Sequence, residues 1–138
     1  VLCGVVHDVV RRETFRAVAG QGAFLGGRRL AVRTDLSIAR SLVATGFPFR
    51  KSGCLEAYLV SFRSVFERVS DIRRAGSAAL DLAWLAAGRL DGFWEIGLAP
   101  WDVAAGGLLI EEAGGRITDF SGGPDPLRTG NVVAGNPA

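Results

Sequence analysis

Methionine is absent from this 138-residue chain, histidine occurs once and cysteine twice. With no initiator methionine and a first residue already inside a strand-like run, the chain reads as part of a longer protein, cut at both ends. One histidine (His7) and two distant cysteines (Cys3 and Cys54) do not make a zinc site, which needs a full set of such ligands. Any metal would have to be a hard cation held by carboxylate oxygens. The two thiols read as reduced core cysteines of a cytosolic protein, not as a disulfide. No apolar run reaches the roughly 18 residues that cross a bilayer. The opening VLCGVVHD lacks the charged start of a signal peptide. A cytoplasmic location with no membrane partner is therefore expected. An excess of one charge is missing as well: 16 Lys+Arg stand against 14 Asp+Glu, for a net charge of +2. The basic residues are scattered as pairs (Arg11-Arg12, Arg28-Arg29, Arg73-Arg74) and do not form a one-sided face, so nucleic acid is not an expected partner.

What remains is a globular composition, with 49% hydrophobic and 22% charged residues, in a chain long enough for one compact domain. Residues 2–10, 14–18 and 29–32 read as an antiparallel meander. The glycine-rich stretch between the last two, 19–27, reads as a turn. It has neither a Gly-Lys-Ser/Thr ending nor a following helix, so it is not read as a phosphate cradle. Thr34, Asp35 or Ser37 would cap a short helix through Arg40, and a buried strand over 41–45 ends in the bend Gly46-Phe47-Pro48-Phe49. Leu55, Tyr58, Leu59, Phe62, Val65, Phe66 and Val69 recur at helical spacing and predict one apolar stripe lying on a sheet.

A short strand after Ser70 leads to a helix over 78–87 closed by Gly88. Asp91-Gly92 reads as a turn, 93–96 as a strand, and 102–112 as a buried helix stopped by Gly114-Gly115. The strand 116–120, a polar loop over 121–129 and a last strand over 131–134 follow. The predicted class is α/β, an α+β layered sandwich: a β-meander, then a mixed sheet flanked by helices. The sheet changes near residue 34.

Three features of this order bear on chemistry. Asp102 stands where a loop meets the buried helix, and a side chain there can cap the helix and also face a ligand beyond its end. Gly76-Ser77 lie at the positive end of the helix over 78–87. Small residues there permit close approach of either a ligand or a neighbouring element. Glu95 sits among bulky apolar residues in a strand, either edge-exposed or held at a site. Gly106 and Gly107 each lower helix propensity by about 1 kcal/mol, which predicts a neighbour too close for side chains. Glu111 and Glu112 oppose the helix dipole, so at least one should face water or a basic partner.

Trp101-Asp102-Val103-Ala104-Ala105-Gly106, followed by Leu108-Leu109 and Glu112-Ala113-Gly114-Gly115, resembles the inositol monophosphatase family of metal-dependent sugar-phosphate phosphatases. The resemblance extends to Gly20-Gln21-Gly22-Ala23-Phe24 with Gly27, to Thr45-Gly46-Phe47-Pro48-Phe49, and to Arg74-Ala75-Gly76-Ser77-Ala78-Ala79-Leu80-Asp81-Leu82. The whole chain is similar to the C-terminal half of the family's bacterial branch. Residues 1–33 then correspond to the last strands of an N-terminal α+β subdomain, and 34–138 to a C-terminal α/β subdomain.

The resemblance implies Mg²⁺-assisted attack of water on a phosphate monoester of inositol or a related polyol. It implies that Asp102 ligates Mg²⁺, that Glu95 hydrogen-bonds a substrate hydroxyl, and that Gly76, Ser77 and Ala78 line the sugar-ring pocket. It also implies a homodimer. Histidinol phosphate and fructose bisphosphate are the related substrates.

The family's Asp-Pro-Ile/Leu-Asp-Gly-Thr motif and its upstream Glu-Glu pair are missing. Asp125-Pro126-Leu127 continues as Arg128-Thr129-Gly130 and does not replace them. Since Mg²⁺ needs several converging oxygens, activity is expected of the intact parent protein and not of these 138 residues alone. The alternative expectation is a non-catalytic dimerisation or protein-interaction module.

Overall fold

The computed structural model describes residues 1–35, 37–49 and 51–137. Four strands, β1 (Cys3–Asp8), β2 (Glu13–Val18), β3 (Gly22–Leu25) and β4 (Arg28–Arg29), form an antiparallel sheet in chain order. Strand alternation sorts their side chains: Gly4, Val6 and Asp8 of β1 point inward, while Cys3, Val5 and His7 face out. Cys3 is thus exposed and is not a core cysteine; Cys54 is half-buried, and both thiols are free. The expected turn over 19–27 contains a strand. Gly20 and Gly22, at φ 75° and 90°, reverse the chain so that 22–25 pair back onto β2. The next strand is accordingly Arg28–Arg29 and not 29–32, with the Leu30 N–H still donating to Ala23 O at 2.8 Å.

The second sheet has the order β6-β5-β7-β9-β8, built from β5 (Leu42–Thr45), β6 (Asp71–Arg73), β7 (Gly92–Glu95), β8 (Arg116–Thr118) and β9 (Val132–Gly135). β5 runs parallel to both β6 and β7, and β9 runs antiparallel to both β7 and β8, which makes the sheet mixed. The short helix expected through Arg40 is one 3₁₀ turn, Ile38–Arg40, with no side-chain cap from Ser37; Leu36, in the predicted cap segment, lies outside the described residues. Asp91-Gly92 is not a free turn. The Leu42 N–H donates to the Asp91 carboxylate at 2.8 Å, and Gly92 opens β7.

Helix α1 (Leu55–Phe66) covers one face of this sheet. Tyr58, Phe62 and Val65 pack there with Trp94, Ile96, Val43 and Ile72. Of the rest of the predicted stripe, Leu55, Leu59 and Phe66 are exposed, and Val69, half-buried, lies beyond the end of the helix. Helix α2 (Ala78–Ala86) and helix α3 (Pro100–Glu112) fill the space between the two sheets. Phe93 joins this inner core while its neighbour Trp94 faces α1, as the two-residue period of β7 requires.

The small residues of α3 are explained by its neighbours. A Cβ at Gly106 would stand 2.6 Å from Leu82 Cβ on α2, and one at Gly4 on β1 would stand 2.9 Å from Ala105 Cα. Helix and strand therefore meet α3 at backbone distance. Gly107 is different, since a Cβ there would reach only Ile117 Cδ1 at 3.6 Å, an ordinary contact. Gly114 stops α3 at φ 80°, with Gly114 N donating to Glu111 O and Gly115 N to Ile110 O. The polar loop over 121–129 holds one further turn, α4 (Pro126–Thr129), capped by Asp125, whose carboxylate accepts from Arg128 N at 3.2 Å. Among the described residues no helix is long and apolar enough to cross a membrane.

Candidate active site

Strands β5, β6 and β7 are parallel, so their carboxyl ends open onto the same edge of the sheet. The crossover helices α1 and α2 lie on opposite faces of the sheet. The end of β5 is therefore a topological switch point, the position where open α/β sheets form a ligand crevice. A cavity of about 310 Å³ lies there. Its walls come from the segment after β5 (Gly46 to Phe49), the segment after β6 (Arg74 to Ala78) and the segment after β7 (Ile96 to Leu98). The first turns of α2 and α3 complete it, so two helix N-termini face the same space, an arrangement suited to a phosphate or another anion.

All five residues singled out in the sequence, Gly76, Ser77, Ala78, Glu95 and Asp102, line this one cavity. Asp102 does not occupy the N-cap position itself. Ala99 is the N-cap, Pro100 begins the helix, and Asp102 reaches back from the third helical position, its Oδ2 accepting from Ala99 N at 3.1 Å. The cap is thus made from inside the first turn, which locks the carboxylate to the helix end. Ser77 is the N-cap of α2, with a long 3.5 Å bond from Leu80 N to its Oγ. Glu95, half-buried at the end of β7, lies against Gly46, where a Cβ would fall within the Glu95 carboxylate. The glycine of the Gly46-Phe47-Pro48-Phe49 bend is what gives that carboxylate its room.

Two further lining residues were not assigned from sequence. The Arg74 guanidinium lies over the rings of Phe47 and Phe49, 5.4 and 5.6 Å from their centroids. Asp81, on α2, is 2% exposed, and its Oδ1 has no hydrogen-bond partner among the described residues. Burial pushes its carboxyl up to about 6, with Arg74 pulling the other way. The available signal was a lone acid in the otherwise apolar run Ala78-Ala79-Leu80-Asp81-Leu82-Ala83, where the inward face of the helix has no natural place for a charge. Trp101, next to Asp102 in the motif, is 80% exposed and takes no part in the cavity.

Glu112, the other carboxylate of the motif, lies away from the cavity. Its two oxygens accept from Gly20 N and Gly22 N, each at 2.7 Å, and tie the end of α3 to the β2–β3 turn. These amide bonds, Gly20 first, hold its carboxyl below the usual range. The glycines at 20 and 22 thus form an anion cradle whose occupant is a side chain of the same chain. The expectation that at least one of Glu111 and Glu112 faces water is met by Glu111, which is exposed, while Glu112 makes this contact.

Magnesium requires near-octahedral oxygen coordination, commonly one or two carboxylates with waters and substrate. Among the described residues no group of three or more His, Cys, Asp and Glu could hold a metal ion. Asp102 fits the role of one ligand at the cavity wall, and the donor set found here does not complete a metal cage.

The sequence profile of the inositol monophosphatase family matches residues 1–138, the whole chain. The chain is 53% identical over 133 residues to Nus factor SuhB of Salmonella typhimurium, covering 96% of this chain and 50% of that protein. It is 47% identical over 136 residues to an inositol-1-monophosphatase of Mesorhizobium japonicum, covering 99% of this chain and 51% of that one. In structure it matches the extragenic suppressor protein suhB from Bartonella henselae with a TM-score of 0.94 at 46% identity, over 99% of this chain and 52% of the other. The chain spans about half the length of the curated relatives it matches. A profile match over every residue, joined to the shared fold, makes this chain a member of the inositol monophosphatase family.

Proposed function

We propose that these residues form the polyol-binding side of a Mg²⁺-dependent phosphatase site that hydrolyses inositol monophosphate or a related polyol phosphate in the intact parent protein. The observation that carries this reading is the convergence of Asp102, Glu95 and two helix N-termini on one cavity. Asp102 would contribute one oxygen ligand to the metal. When bound, Mg²⁺ supplies Lewis-acid polarisation of the phosphate. The remaining ligands would have to come from segments equivalent to the Asp-Pro-x-Asp-Gly-Thr and Glu-Glu motifs, which these 138 residues lack. The amides at the starts of α2 and α3 orient the anionic end of the substrate, Glu95 accepts a ring hydroxyl, and Gly76, Ser77 and Ala78 form the wall on which the ring rests. Residues 1–33 complete one subdomain and 34–138 form the other, with α3 packed against strands of both. The protein acts in the cytoplasm as a homodimer.

Phosphate release from inositol 1-phosphate tests this reading. The 138 residues alone should give no turnover. A chain extended to carry the two missing acidic segments should give Mg²⁺-dependent turnover that a chelator abolishes and that Asp102→Asn lowers on the order of 100-fold. Histidinol phosphate and fructose bisphosphate, run beside it, decide the substrate. An inactive extended chain would refute the proposal. The second reading, a protein-interaction module, is favoured by the name Nus factor carried by relatives and by the exposed Leu55, Leu59, Val60 and Phe66 on α1. It predicts that the extended chain associates without turning over substrate.

A further inference from the structure

We propose that Asp81 is a second substrate-binding carboxyl of this site, taking a ring hydroxyl of the polyol on the wall formed by α2. The proposal rests on the polyol phosphate reading above. Ser77 and Asp81 are four residues apart, so they lie on one face of α2. Helical side chains tilt toward the N-terminus, which carries the Asp81 carboxyl toward the cavity end of the helix. Both residues line the cavity that also holds Glu95. Asp81 also contributes to the wall of an adjacent cavity with Arg11, Arg74 and Trp84.

A purely structural role would give this carboxyl protein partners, as it does for the other buried acids. Asp8, equally buried, accepts from Arg11 N at 3.0 Å and Arg11 Nη1 at 3.1 Å. Asp91, half-buried, accepts from Leu42 N through Oδ2 at 2.8 Å, and its Oδ1, which makes no hydrogen bond among the described residues, is matched by the Arg33 guanidinium at 3.5 Å. Asp81 Oδ1 has no such partner among the described residues. The nearby cation, Arg74, attracts it without a hydrogen bond between them and stacks on Phe47 and Phe49 instead. A buried acceptor left without a partner destabilises the fold by itself, and such costs concentrate where function requires them. A polyol hydroxyl satisfies the acceptor, or accepts from the acid when it is protonated. Glu95 and Asp81 together then read two hydroxyls of one ring.

Equilibrium binding of myo-inositol 1-phosphate and of inorganic phosphate, in Mg²⁺, to the chain extended to carry the two missing acidic segments tests this, with Asp81→Leu and Asp81→Asn beside the unsubstituted form. Near-UV circular dichroism checks that each variant is folded. Asp81→Leu, close in shape and apolar, should weaken inositol phosphate about tenfold, the loss of one net hydrogen bond, and leave inorganic phosphate unchanged. Asp81→Asn, which can still bond a hydroxyl, should stay within about threefold of the unsubstituted protein. Equal weakening of both ligands, or of neither, overturns the assignment and leaves the phosphatase reading intact. No binding of inositol phosphate by the unsubstituted protein overturns both.

Discussion

Asp81→Asn should make the protein more stable, and more so at high pH than at low. The carboxyl is 2% exposed, and burial raises it from its ordinary 3.8 to about 6. In the unfolded chain it ionises near the ordinary value. Between roughly pH 4 and pH 6 the folded chain therefore keeps a proton that the unfolded chain has lost. When the folded state binds more protons, stability falls as pH rises. The full displacement corresponds to roughly 3 kcal/mol, present above pH 6 and nearly absent below pH 4. Asparagine does not ionise, but it buries an amide whose unmet bonds cost about 1 kcal/mol. The variant should thus gain about 2 kcal/mol near pH 8 and nothing, or lose slightly, near pH 4. Urea unfolding at both pH values, with an unchanged denaturant slope, measures this. The same stability difference at both would refute the assignment of a buried, unneutralised carboxyl.

Gly106→Ala and Gly107→Ala should act in opposite directions. The first forces a Cβ to 2.6 Å from Leu82 Cβ and should lower stability by about 1–3 kcal/mol, outweighing the helix-propensity gain. The second meets an ordinary contact and should be neutral or stabilising by up to about 1 kcal/mol, both read by thermal or urea unfolding. Glu112→Gln should lower the melting temperature and release the Gly20 and Gly22 amides to hydrogen exchange; unchanged protection would show that those bonds do not hold the turn. Because the Glu112 carboxyl is held low in the fold, its contribution is present above its unfolded value and lost as the pH falls through the lowered one. Gly46→Ala should expel the Glu95 carboxylate from its position. The outcome expected is weaker binding of inositol 1-phosphate with little change in melting temperature, whereas a global loss of fold would assign Gly46 to packing.

Much of the site is legible in the sequence, because its residues sit where short-range chemistry marks them. Asp102 stands just after a proline at the start of an apolar helix, and Ser77 caps another helix after a glycine. Gly114-Gly115 read as a stop because a left-handed residue is needed to close α3. The misreadings have equally local causes. The strand Gly22–Leu25 was hidden by flanking glycines that read as one long turn, although two of them reverse the chain on either side of a pairing segment. The α1 stripe lies on the sheet only in part, because spacing reports which residues share a face and not how wide the sheet beneath them is.

Composition and pattern alone determined the alternation of strands and helices from residue 41 on, the stop of α3, the small-residue helix and the acids near element boundaries, since each depends on neighbours within a few residues. Tertiary structure decided what those acids do. Glu112 bonds amides some 90 positions away, and Gly46 yields its space to Glu95 from an adjacent strand. Asp81 Oδ1 is left without a hydrogen-bond partner among the described residues because α2 is pressed between two sheets beside the end of β5. Burial and convergence are properties of packed layers, and no stretch of sequence contains them.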